Sequence, residues 1–171
     1  MSSILIIGGG PSGLACAMTL AASKQGHVIQ VIDSKESDLK LAELWEVPAV
    51  SLGTPGTKLL EIAQSQAAQL GVRTKQDIVV RVQGLAPPYQ VHLKSGEVMN
   101  AEFLVLATGF KHLDVVFEIP LQTKVHPCTP KPRVCLEHDG MGRIGSQMYV
   151  AGTLSGIYSM FATAIGSGTE I

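Results

Sequence analysis

The sequence lacks several features that mark common classes of protein. Only 16% of its 171 residues are charged, the formal net charge is −1, and no run of basic residues is present. Neither nucleic acid nor an anionic membrane surface is therefore expected as a partner. No apolar stretch reaches the roughly 18 residues of a membrane-spanning helix, and the first residues carry no positive charge, so we expect neither a membrane span nor a signal peptide.

Cysteine is also scarce. Cys16, Cys128 and Cys135 are odd in number and unevenly spaced, so they do not form a disulfide framework, and the reducing cytoplasm is the expected location. His126 and His138 flank the last two cysteines, but the spacing matches no compact zinc site, so we predict no metal. A redox role for Cys128 or Cys135 stays open as an alternative, whereas Cys16 is expected in the core.

Familiar catalytic patterns are missing as well. No Ser/His/Asp arrangement and no pair of catalytic carboxylates is visible, so the sequence assigns no catalytic residue. No internal repeat or low-complexity segment interrupts the chain. Its length and its 46% hydrophobic content predict a single α/β domain with a full core.

The most informative stretch is residues 3–13, which read SILIIGGGPSG. Its apolar start predicts a buried strand, and the Ala/Leu-rich residues after it predict a helix over 14–23. The spacing G-x-G-x-x-G between them is typical of a dinucleotide-binding turn. Gly8 allows the tight turn, Gly10 lets the backbone approach a pyrophosphate, and Gly13 lets the helix pack on the strand. The unpaired amides at the helix start would face the phosphates.

An acidic residue follows at the distance that this motif requires. Residues 27–32 predict a second strand, and Asp33 stands at its end, where a carboxylate can bind ribose hydroxyls. Because a carboxylate repels a 2′-phosphate, FAD or NAD is favoured over a phosphorylated dinucleotide. Lys35 nearby weakens that preference slightly.

The rest of the chain alternates helix and strand signals. Apolar spacing predicts a helix over residues 57–70, which Gly71 ends, and a short strand over 72–74. Other predicted elements are an antiparallel meander (78–82, 90–93 and around Val98), a buried strand (102–106), an irregular stretch (111–133), a short strand (134–137), a last buried strand (148–150) and a helix (158–166). Parallel strands joined by helices, with an inserted meander, predict a three-layer α/β domain.

Three motifs in this order resemble one family. The turn GGGPSG with Asp33, the strand end Ala107-Thr108-Gly109, and the segment 149–153 before a helix are similar to the FAD domain of thioredoxin reductase-like flavoproteins. The resemblance covers about residues 3–168. It implies a Rossmann-like FAD-binding domain with helices on one face of a central parallel sheet and a small antiparallel meander on the other. The single domain would span residues 1–171, with a first half (1–110), a short connection (111–147) and a second half (148–171).

The resemblance also implies a set of FAD-binding residues. Those around the pyrophosphate, ribose and adenine would be Gly8, Gly10, Pro11, Ser12, Gly13, Asp33, Ser34, Lys35 and Val79. Those along the ribityl chain and flavin would be Ala107, Thr108, Gly109, Gly152, Thr153, Tyr158, Met160, Phe161 and Ala162. Trp45 would stack on flavin or substrate, with plain packing as the alternative. The helix that begins near Tyr158 would direct its positive end at the flavin pyrimidine.

The sequence departs from the family in two places that bear on function. Only residues 111–147 stand where the family carries an NAD(P)H domain of roughly a hundred residues or more. The Cys-x-x-Cys of the family is missing from the sequence. Thr153 replaces an aspartate that accepts from ribityl hydroxyls, so the corresponding bond would lack charge. By itself the chain is not expected to be an NADPH-thioredoxin reductase.

These features predict an FAD-dependent oxidoreductase of thioredoxin reductase-like type that passes electrons between flavin and a small-molecule or protein substrate. The alternative is a non-catalytic FAD- or nucleotide-binding module, or a subunit of a larger redox complex. A small NAD dehydrogenase is a third interpretation, which the segment 151–153 disfavours. Without an NAD(P)H domain the flavin face would be exposed, so a homodimer or a redox partner is expected to cover it.

Overall fold

The computed structural model describes residues 2–109, 114–129 and 133–171. Expectations for Phe110, for residues 111–113 and for residues 130–132 lie outside this part of the chain. Within the described residues, no helix is both long enough and apolar enough to cross a membrane.

The elements follow the chain in this order. The strands are β1 (Ser3–Ile7), β2 (Val28–Asp33), β3 (Glu43–Leu44), β4 (Thr54–Pro55), β5 (Arg73–Gln76), β6 (Val79–Gln83), β7 (Tyr89–Leu93), β8 (Val98–Ala101), β9 (Phe103–Leu106), β10 (Val116–Phe117), β11 (Thr123–Val125), β12 (Val134–Leu136), β13 (Arg143–Gly145) and β14 (Met148–Val150). The helices are α1 (Pro11–Ala22), α2 (Gly56–Gln69) and α3 (Phe161–Thr169), and short 3₁₀ turns occupy Asp38–Leu41 and Gly152–Ser155.

A six-stranded sheet with the order β13-β14-β9-β1-β2-β5 forms the centre of the molecule. Five of its strands, β14, β9, β1, β2 and β5, run parallel to one another. The edge strand β13 is antiparallel to its neighbour β14. Ile7 pairs with both Ile32 and Leu106, and Leu106 pairs with Val150. The carboxyl ends of four parallel strands therefore lie side by side, and the residues after them meet at one edge, where α/β sheets bind ligands.

Side-chain alternation along β1 builds a core on each face of this sheet. Ile6 packs in one core with Leu14 of α1 and Leu60 of α2, and α3 packs against α1 on the same side. Ile7 packs in the other core with Tyr89 of the meander. In the meander, β6, β7 and β8 are antiparallel, and β10 pairs with β6 in parallel. The predicted three-layer arrangement is confirmed.

Three local predictions were wrong. α1 begins at Pro11 rather than at residue 14, because Gly10 is the N-cap and proline suits the first turn of a helix. α3 begins at Phe161 rather than at Tyr158, because the backbone is still extended at Met160. The stretch predicted as irregular over 111–133 contains β10, which pairs with β6, and β11, which pairs with β12 in a hairpin. Prolines around the β11–β12 hairpin hid the sequence pattern of a strand, and β11 is stabilised by its pairing with β12 rather than by its own sequence.

Candidate functional site

A cleft of about 590 Å³ opens along the edge where the parallel strands end. Its volume lies within the range of small-molecule and cofactor sites. From the end of β1 it reaches Asp33 and Val79 on one side, and Thr108 and Thr153 on the other. Of the residues predicted to bind the cofactor, the structure places these in its lining: Gly8, Gly10, Pro11, Ser12, Asp33, Ser34, Val79, Ala107, Thr108, Gly109, Thr153, Met160 and Phe161.

The remaining predicted residues do not line the cleft: Gly13, Lys35, Trp45, Gly152, Tyr158 and Ala162. Gly13 and Gly152 lie behind the lining, where they pack closely on Gly8 and Ser12. Trp45 is 62% exposed and packs on Gly53, and Tyr158 is 63% exposed before the start of α3. Contact of these two rings with a flavin or a substrate therefore stays a prediction.

The glycine-rich turn holds α1 against the sheet. A Cβ atom on Gly13 would collide with the carbonyl oxygen of Gly8, so only glycine allows this approach of helix to strand. The N-cap residue Gly10 provides no side-chain hydrogen bond to the first turn of α1. The first amides of a helix have no partner within the helix and attract anions. The start of α1 therefore favours negative charge at the floor of the cleft.

Asp33 is the most deeply buried charge in the described cleft lining, with 3% of its surface exposed. Its Oδ1 accepts from the amide of Lys35 at 2.8 Å, and its Oδ2 accepts from Nε2 of Gln64 at 3.2 Å. The ammonium of Lys35 lies 3.1 Å from the same Oδ2. These contacts fix the carboxylate at the end of β2 and balance its charge, and they leave acceptor capacity for a ribose hydroxyl.

The sequence analysis missed Gln64 and the acidic side chains of the cleft. The latter are Glu36, Asp38, Glu43, Glu46, Asp77 and Asp114, whereas Lys94 is the one basic residue in the described lining. Glu43 and Glu46 reach the cleft because β3 pairs with β4, and pairs of two-residue strands leave no periodic signal. Hydrogen bonds from Ser95 and from the amide of Ile78 lower the pKa of Asp77, which keeps this carboxylate charged.

The three cysteines differ in accessibility, and all are free thiols. Burial raises the pKa of Cys16 to about 12 and also raises the pKa of Cys135. Cys128 is only partly buried. Among the described residues, no group of three or more His, Cys, Asp and Glu side chains is arranged to hold a metal ion.

Comparison with known proteins places this geometry in context. No family model matches the chain. A thioredoxin reductase from Spironucleus barkhanus is 28% identical over 119 residues, which cover 67% of this chain and 39% of that protein. The chain therefore matches about two-fifths of the length of this curated relative.

Solved structures show the same fold. A thioredoxin reductase from Gloeobacter violaceus superposes with a TM-score of 0.78 at 16% identity, covering 99% of this chain and 92% of that one. The atypical thioredoxin reductase TRi from Desulfovibrio vulgaris Hildenborough gives 0.77 at 13% identity, covering 99% and 95%.

The fold is that of a dinucleotide-binding α/β domain. Within this class it is the thioredoxin reductase-like FAD oxidoreductase fold, so the resemblance predicted from the motifs is confirmed.

We predict that Cys128 is the one thiol that reacts rapidly in the native protein. The thiolate is the reactive form, and burial with a raised pKa protects Cys16 and Cys135. Titration with Ellman's reagent at pH 8 should show one fast thiol, which Cys128→Ser removes and Cys135→Ser retains. Guanidinium should expose all three thiols of the sequence. Loss of the fast phase in Cys135→Ser would contradict the assignment.

Proposed function

We propose that this chain binds FAD and acts as an oxidoreductase of thioredoxin reductase-like type. One observation carries the proposal: a single cleft joins Asp33, the glycine-rich turn and Thr153 along the ends of four parallel strands. That sequence of groups suits a ribose, a pyrophosphate and the polyol chain of a flavin dinucleotide. The likeness in fold to thioredoxin reductases supports the redox class of the activity.

The residues around the pyrophosphate position fit the cofactor. Among the described residues, a Cβ atom on Gly10 would have one neighbouring atom within 4 Å, the hydroxyl oxygen of Ser37 at 3.4 Å, so the backbone here is open to the cleft. The pyrophosphate would lie over Gly10 and the first amides of α1. Asp33 would hold the adenosine ribose, and the backbone of Val79 would face the adenine.

The far end of the cleft would hold the flavin. Thr108, Gly109 and Thr153 form one wall there, and Met160 and Phe161 lie at the start of α3. No side chain caps α3, so its first amides and the positive end of its dipole favour negative charge at this end. FAD, when bound, supplies the redox chemistry, and the protein supplies orientation and electrostatics.

We further propose that the chain carries no NAD(P)H domain between its two halves. β9 and β14 are neighbours in the sheet, and residues 107–147 connect them. In the described parts of this connection, the structure has short strands and no helix. Electrons would then reach the flavin from a small-molecule substrate or a protein. The three free cysteines suit a reducing cytoplasm as the compartment.

A non-catalytic module that binds FAD or another nucleotide is the second candidate. Thr153 favours it, because a hydroxyl in this wall of the cleft stabilises a bound polyol less than a carboxylate would. The protein would then serve as a sensor or as a subunit of a larger redox complex. Turnover by the reduced cofactor separates the two candidates.

A partner surface accompanies both candidates. Large apolar side chains are exposed from the last residue of the 3₁₀ turn Asp38–Leu41 to the start of α2, with Leu41 88%, Trp45 62% and Leu52 72% exposed. Glu43 and Glu46 of this segment line the cleft itself. Exposed apolar clusters are typical of interaction sites. We propose that a homodimer or a protein redox partner covers this side of the cleft.

We predict that Asp33→Asn weakens FAD binding roughly tenfold or more, because it removes a charged acceptor for a ribose hydroxyl. Glu36→Gln is the matched control, since it neutralises an exposed acid of the same cleft. Titration of the apoprotein, followed by quenching of FAD fluorescence, gives the dissociation constants. Equal affinities in both variants would contradict the role of Asp33, and a wild-type protein that binds no FAD would contradict the proposed function.

We predict that the FAD-loaded protein is not bleached by NADPH under anaerobic conditions, because residues 107–147, which connect β9 and β14, would offer no nicotinamide-binding domain. Dithionite, as the control, should bleach the visible spectrum, and oxygen should restore it. Rapid bleaching by NADPH would reveal a nicotinamide site and overturn the proposal. Reduced protein that passes no electrons to any acceptor would favour the non-catalytic module.

We predict that the protein purified alone is a dimer by light scattering at micromolar concentration if copies of the chain cover the apolar segment. The double variant Leu41→Ser with Leu52→Ser should then be a monomer, because both side chains are exposed and contribute little to the stability of the fold. A monomeric wild-type protein would leave a separate redox partner as the occupant of this surface.

A further inference from the structure

The 3₁₀ turn Gly152–Ser155 forms the wall of the cleft that follows β14. Two histidines from the connection between β9 and β14 contact the main chain of this turn. His126 is the first residue after β11, and His138 is the second residue after β12. Because β11 and β12 are paired, both imidazoles come from one hairpin.

His126 is 3% exposed and holds the first of two carbonyls. Its Nε2 lies 2.9 Å from the carbonyl oxygen of Thr153, and its Nδ1 accepts from the amide of Cys128 at 3.1 Å. A carbonyl oxygen only accepts, and Nδ1 already accepts. The ring is therefore assigned as a neutral imidazole with its proton on Nε2.

His138 repeats this arrangement at the end of the turn. Its Nε2 lies 3.0 Å from the carbonyl oxygen of Ser155, and its Nδ1 faces the amides of Gly140 and Gly142 at 3.1 and 3.2 Å. The same reasoning places its proton on Nε2. Each histidine thus joins a local loop, through Nδ1, to the turn beside the cleft, through Nε2.

The 3₁₀ turn Gly152–Ser155 also packs against other parts of the cleft. Thr153 lines the cleft, and a Cβ atom on Gly152 would collide with the side chain of Ser12 in the first turn of α1. The amide of Gly152 donates to the hydroxyl of Ser167 on α3 at 2.9 Å. A shift of the turn would therefore move the Thr153 wall and loosen its contact with the start of α1.

We propose that His126 and His138 are positioning residues of the cofactor cleft, which hold the carbonyls of Thr153 and Ser155 through their Nε2–H groups. The inference rests on the proposed function for the identity of the ligand, FAD. It gives these residues a role other than metal binding, since all four ring nitrogens face main-chain groups.

Asparagine and glutamine separate the two contacts of each ring. In asparagine, Oδ1 takes the place of Nδ1 and accepts from the local amide, but no atom reaches the turn. In glutamine, the amide nitrogen reaches the place of Nε2 and can donate to the turn, while the local acceptor is lost. His27→Asn is the control, because His27 precedes β2 and so lies at the amino ends of the parallel strands, away from the cleft.

We expect His126→Asn and His138→Asn each to raise the dissociation constant for FAD about five- to tenfold, as for the loss of one buried hydrogen bond. His126→Gln and His138→Gln should stay within about twofold of the wild type, and His27→Asn should not change it. In the apoproteins, amide hydrogen exchange over residues 152–156 should be faster in the two cleft asparagine variants than in the glutamine variants.

Two results would overturn the proposal. Asparagine variants with wild-type affinity and exchange would show that the carbonyl contacts position nothing. Glutamine variants as weak as the asparagine variants would assign the histidines to local loop structure alone. If the wild type binds no FAD, the proposed function fails, and hydrogen exchange in the apoproteins still decides whether the histidines position the turn.

Discussion

The rest of this structure depends on how closely other parts of the backbone approach the first turn of α1. The carbonyl of Gly8 lies where a Cβ of Gly13 would be, and the carbonyl of Ser12 lies where a Cβ of Gly168 would be. The second approach brings α3 onto α1. Through these contacts a single helical turn meets both β1 and α3, so the amides at the floor of the cleft have a fixed direction.

The positive potential in the cleft comes from main-chain amides more than from cationic side chains. Lys35 is committed to Asp33, and Lys94 is the one basic residue in the described lining, which otherwise carries several acids. A diphosphate in this site would depend on helix amides for its stabilisation. Such a site discriminates by position, because a phosphate displaced from the helix start meets carboxylates instead.

The segment that connects β9 to β14 has a structural role in this chain. Its hairpin of β11 and β12 presents His126 and His138 to the turn that carries Thr153. The segment that connects β9 to β14 therefore also supports a wall of the cleft. A polar contact to main-chain carbonyls tolerates change in the side chains of the turn, such as a threonine at position 153.

The sequence by itself determined the local parts of this protein. The spacing of Gly8, Gly10 and Gly13, the position of Asp33 and the apolar run of β1 depend on backbone geometry within a few residues, so they could be predicted together with the three-layer fold. Only the tertiary structure decided that Gln64 contacts Asp33, that β3 and β4 bring acids to the cleft, and that Trp45 stays exposed. These contacts join residues far apart in the chain, and no local pattern encodes which distant group a side chain will meet.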